Sequence, residues 1–93
     1  MLNVEELAKI HASCRILGAN KNKDYSGTLD PIGVTGLPGI STRLLDKVSR
    51  LSSLVQPNAE QKVKDESIRD TLMDMINYAS YGIMLLDGTW EKK

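Results

Sequence analysis

Hydrophobic residues recur at helical spacing in three stretches of this chain, parted by polar or glycine-rich sequence. In the first stretch, Val4, Leu7, Ile10, Cys14 and Leu17 share one face. Asn3 stands at the N-cap with Glu6 three residues on, and Gly18 offers a C-terminal stop, so a helix is expected over 3–17. The second stretch, 40–55, carries Ile40, Leu44, Val48, Leu51 and Val55 behind a cap at Gly39 or Ser41, and Pro57 with Asn58 ends it. The third opens at Asp65 or Ser67 and runs through Ile68, Leu72, Met75, Ile76, Ala79, Ile83 and Leu86 to Gly88. Trp90 is left in a short charged tail. From Ala19 to Gly39 the periodicity lapses, and Gly27, Gly33, Gly36 and Gly39 accompany Pro31 and Pro38. A loop of that length in a small domain is commonly functional or disordered. The fold class predicted is all-α, a three-helix protomer with one long Gly-rich loop.

The polar faces are as regular as the apolar ones. On the third helix Glu66, Asp70, Asp74, Asn77 and Tyr81 fall in one narrow sector opposite the apolar stripe. Like charges four residues apart cost an isolated helix about 0.2 to 0.5 kcal/mol per pair, so this column calls for a compensating partner. A divalent cation is one candidate, because Mg²⁺ takes carboxylate, water and phosphate oxygens. A basic surface is another, and the second helix supplies it with Arg43, Lys47 and Arg50 at i, i+4 and i+7 and Asp46 beside them. Such a stripe facing an acidic column suits a metal-complexed polyphosphate, and Tyr25 of the loop could stack on a base.

Each pattern also has an ordinary explanation. Charged helix faces are commonly solvated or joined by internal salt bridges. Gly33, Gly36 and Gly39 form a GxxGxxG spacing, but without a preceding strand or a Walker Lys it is a weak phosphate-loop signal. His11 and Cys14 read as core or rim residues, and Met75, Tyr78 and Met84 as packing.

Composition narrows the function classes. The chain has 93 residues, enough for a single domain over 1–93, and its 12 Lys plus Arg balance 12 Asp plus Glu. That neutrality argues against a partner with a long phosphate backbone and leaves room only for a small anion. One cysteine and one histidine exclude an internal disulfide and a multi-cysteine zinc site, so metal ligands would be oxygens. No apolar run reaches membrane-spanning length and the start has no signal-peptide pattern, so a cytoplasmic location and no membrane partner are expected. With no Phe and one Trp, extra core is expected from self-association into an oligomeric helical bundle, closed where Ala79 and Gly82 permit a close crossing.

Three blocks in order, KNKDYSG (21–27), RLLDKVSRLSSL (43–54) and DESIRDTLMDMINYA (65–79), resemble the nucleotide modification associated domain family found largely in phage genomes. That family looks like a compact relative of the MazG-like all-α nucleoside triphosphate pyrophosphohydrolases. The resemblance implies a helical oligomer in the cytoplasm of an infected host cell, holding Mg²⁺ against a nucleotide phosphate chain. On the matching positions, Glu66, Asp70 and Asp74 would be catalytic and, with Asp46, would hold metal. Lys21, Lys23, Asp24, Tyr25, Arg43, Lys47, Arg50 and Asn77 would bind the ligand. The acidic set is thinner than the ExxE and ExxD pairs of MazG-like enzymes. Two readings therefore stand together: hydrolysis of the α–β bond of a nucleoside triphosphate, and sequestration without turnover of a nucleotide-derived immune signal such as a cyclic dinucleotide or ADP-ribose derivative. A third, purely structural reading pairs the charged columns across a subunit interface.

Overall fold

The computed structural model describes residues 1–23, 29–57 and 61–91, with the side chains of 61–64 left aside. Three helices follow in order: α1 (Val4–Lys23), α2 (Pro31–Leu54) and α3 (Gln61–Asp87), with no strand among the described residues. α3 is central. It packs along α2 and, over a shorter stretch, against α1, while α1 and α2 are not packed on each other.

The ends of the helices follow local chemistry. Asn3 Oδ1 accepts from the Glu6 amide at 3.1 Å, which is the N-cap read from the sequence. At the far end of α3, Gly88 adopts φ 72°, the Thr89 amide donates to the Met84 carbonyl at 2.8 Å, and the Gly88 amide donates to Leu85 at 3.3 Å. These two bonds form a Schellman closure.

The segment expected to be a loop over 19–39 is helical at both ends. α1 continues five residues past Gly18 to Lys23, and α2 begins at Pro31. Gly18 does not stop α1 because it is buried against α3, where tertiary contact outweighs its weak helix propensity. α2 starts early because Asp30 caps it, its carboxylate accepting from the Ile32 amide at 3.2 Å, and Pro31 occupies the first turn, where a missing N–H costs nothing. Gly36 then interrupts α2 with φ 63° and ψ −152°, and Pro38 restarts it. Asp24, Tyr25, Gly27 and Asn58 lie outside the described residues.

The core is thin. Cys14, Ile32 and Ile40 are the buried hydrophobic side chains among the described residues, joined by Thr71 and Asn77. Gly82 lets α3 approach α2, its α-carbon facing Ile40 and Leu37, so its small size serves a crossing within the chain while Ala79 stays exposed. The stripes read as apolar are only partly used. Leu72, Ile83 and Leu86 of α3, Val48 of α2 and Val55 just past its end, and Val4 of α1 remain open to solvent. What α3 turns inward is the lower half of its polar column: Asp74 and Tyr81 are half-buried and Asn77 is buried.

Candidate functional site

The inward column of α3 meets the end of α1 and the middle of α2 around one carboxylate. Asp74 Oδ1 accepts from Lys21 Nζ at 2.6 Å and Oδ2 pairs with Lys47 Nζ at 3.1 Å. The Asp74 side chain is 13% exposed, and the Lys47 and Lys21 side chains are 26% and 54% exposed. Burial alone would push the Asp74 carboxyl up. The two lysine contacts together outweigh it and hold the group below the usual carboxylate range. In return, the hydrogen bond to Asp74 raises the Lys21 ammonium above its ordinary value, with a smaller contribution from the Asp70 charge. Both groups are therefore charged at neutral pH. The pair's stabilisation is complete above the ordinary carboxylate value of 3.8 and is lost as acid titrates Asp74 below it.

Arg43, one turn before Lys47, lies 6.0 Å from the centroid of the Tyr78 ring and pairs with no carboxylate among the described residues. Its guanidinium gains from the face of that ring. Tyr78 meets Tyr81 edge-on at 6.0 Å, and Tyr81 meets Trp90 at 5.0 Å, so a chain of aromatic rings runs from the basic cleft to the tail. Trp90 is tied down in turn, its indole N–H donating to Asp30 Oδ2 at 2.6 Å, a contact that lowers the Asp30 pKa. One carboxylate thereby caps α2 with one oxygen and anchors the tail with the other.

These side chains enclose a cleft of about 50 Å³, lined by Lys21, Asn22, Arg43, Asp74, Asn77, Tyr78 and Tyr81, with Pro31 and Ile32 at the start of α2. A water molecule in the liquid takes about 30 Å³, so a space of about 50 Å³ admits a group of only a few atoms. The kink at Gly36 lets one helix line the cleft twice, before the bend with Ile32 and after it with Arg43.

Among the residues singled out by sequence, Lys21, Arg43, Lys47, Asp74 and Asn77 come together here. The Asn77 amide, though, is committed to the Cys14 carbonyl at 3.0 Å and joins α3 to α1. Lys23, Asp46, Arg50, Glu66 and Asp70 are exposed, and Asp24 and Tyr25 lie outside the described residues. The four carboxylates grouped as Mg²⁺ ligands do not converge: among the described residues no three His, Cys, Asp or Glu side chains gather as a metal site. Helix geometry accounts for this, since Glu66 and Asp74 lie eight residues apart and therefore about 12 Å along α3. Of the four, Asp74 contacts Lys21 directly, and the Asp70 charge acts on the same ammonium more weakly.

Sequence reasoning missed Asn22, Asp30 and Trp90 as neighbours of the site, and it set Tyr81 in the polar column without giving it a role. Asp30-Pro31 carried a legible helix-start signal. Nothing in the spacing announces that Trp90 reaches Asp30 across sixty positions.

The family model for nucleotide modification associated domain 1 matches residues 21–86. The chain belongs to that family. No curated protein and no solved structure matches it. The family region holds every residue of the basic cleft and leaves outside it most of α1 and the Trp90 tail. No described helix is long and apolar enough to cross a membrane.

Proposed function

We propose that this member of the nucleotide modification associated family binds a nucleotide, or a nucleotide-derived small molecule, by its phosphates at Lys21, Arg43 and Lys47. The observation that carries the reading is the Asp74 clamp: a half-buried carboxylate held between two ammonium groups, beside a guanidinium with no carboxylate partner among the described residues. Three cations face one anion. Asp74 stands where a ligand oxyanion would be held, and an arriving phosphate draws the lysines away from it. Lys21 can swing because more than half of its side chain is in water. Arg43 is fixed on Tyr78 and suits bidentate contact with phosphate.

The test is titration with inorganic tripolyphosphate in the absence of metal. Lys47→Ala should weaken binding at least tenfold, and Asp74→Asn should tighten it severalfold by removing the internal competitor. Weaker binding by Asp74→Asn, or no change in Lys47→Ala, would overturn the reading.

Mg²⁺-dependent hydrolysis of the α–β bond of a nucleoside triphosphate is the second reading, supported by Asp70 standing one turn before Asp74 on α3 and by its charge acting on Lys21. If Mg²⁺ were bound with the phosphates, Asp70 and Asp74 would be the carboxylates to hold it, and it would supply charge neutralisation of the phosphate chain. In that case Asp70→Asn abolishes release of monophosphate and pyrophosphate while tripolyphosphate still binds. Nucleotide binding by the wild type without turnover would support sequestration, and neither binding nor turnover would leave the structural reading.

A further inference from the structure

A second cleft, of about 500 Å³, opens on the far side of the hydrogen bond between Asn22 and the Tyr81 hydroxyl. Ten times the volume of the basic cleft, it lies in the range of pockets that enclose small organic ligands. α1 forms one wall with His11, Arg15 and Ala19, α3 forms the other with Ser80 and Met84, and Trp90 closes the end. Its lining is mainly apolar, with hydrogen-bonding groups at a few points. Most of the α1 wall and Trp90 fall outside the matched 21–86, so the family match does not assign this cleft.

We infer that this second cleft takes the heterocyclic base of the ligand whose phosphates lie at Lys21, Arg43 and Lys47. The inference rests on the phosphate reading above. A base presents flat apolar faces and a polar edge. Tyr81, Trp90 and Met84 offer surfaces for the faces, while for the edge Arg15 offers donors and the Asn22 and Ser80 oxygens offer acceptors. The Asn22 amide nitrogen is committed to Gly18 and Tyr81, and the Ser80 hydroxyl donates to Ile76. Arg15 pairs with no carboxylate among the described residues. The two clefts share Asn22, Asn77 and Tyr81 and so lie side by side, and a molecule engaging both must pass over or part the Asn22–Tyr81 bond. Lys21 and Asn22, adjacent in sequence, address the two ends of such a molecule.

Trp90 is the lone tryptophan of the chain, so its fluorescence reports this cleft directly. The experiment titrates the full chain with the common nucleosides, their triphosphates and inorganic tripolyphosphate. The exposed wall positions are varied as Ala19→Phe and Ser80→Leu, with circular dichroism to verify the helices. Nucleoside and triphosphate should shift Trp90 emission and tripolyphosphate should not. Either filling variant should lower triphosphate affinity at least tenfold and leave tripolyphosphate affinity as it was. If no nucleoside shifts the emission at millimolar concentration, or if both filling variants keep wild-type triphosphate affinity, the base cleft is overturned. Loss of tripolyphosphate binding with retained nucleoside binding would instead overturn the phosphate reading and leave the cleft in place.

Discussion

Gly18 shows what a single position does in this chain. A Cβ there would run into the Tyr81 hydroxyl and stand 3.2 Å from the Asn77 amide nitrogen. Alanine favours a helix interior by about 1 kcal/mol over glycine, but forcing atoms into an occupied contact costs about 1 to 3 kcal/mol, so packing wins. Gly18→Ala should be destabilising by up to about 2 kcal/mol in urea melts, and it should disturb the Asn22–Tyr81 bond that divides the two clefts. A stabilised variant would mean that Tyr81 yields freely. Read in one dimension, Gly18 is a helix stop; in the structure it is a contact point. The same ambiguity applies to Asp74, which spacing placed in a solvated or metal-binding column. Its partners Lys21 and Lys47 lie 53 and 27 positions away, and only folding brings their charges together.

Among the elements, α2 departs most from its sequence pattern, because it starts nine residues before the stripe at Ile40. Gly36 lies in a backbone region that is essentially closed to residues with a side chain, and occupying it costs about 1 to 3 kcal/mol for any other residue. Gly36→Ala should lower stability by about that amount in thermal or chemical melts. It should also weaken tripolyphosphate binding, because the bend places Ile32 and Arg43 on one cleft. An unaffected variant would show that α2 can straighten without cost. The kink escaped the periodicity because Pro and Gly are read as breakers, whereas here Pro31 starts a helix and Pro38 restarts one. The helix ends at Asn3 and Gly88 were legible, since each depends on a few neighbouring residues.

The whole molecule is more open than a monomer of its mass usually is. Its surface is 7130 Å², against about 5,400 Å² expected for a compact chain of this size. Its radius of gyration is 14.8 Å, against about 12.3 Å. The outward face of α3, with Leu72, Ile83 and Leu86, is where the missing burial should be recovered. We expect a homo-oligomer, at least a dimer by light scattering at micromolar concentration, and dissociation of that assembly in Ile83→Glu. A wild-type monomer would contradict this.

Local rules acting over a few residues determined the all-α class, the number of helices, two of their caps and the two charged rows on α2 and α3. Which row turns inward was decided by tertiary structure alone. An amphipathic period says that a helix has two faces, but the face that is buried depends on what the other helices bring to it. Here α1 and α2 bring Lys21, Lys47 and the Cys14 carbonyl to the polar side of α3, so charge and hydrogen bonding join Cys14, Ile32 and Ile40 in the interior, and Leu72, Ile83 and Leu86 of the apolar stripe are left outward.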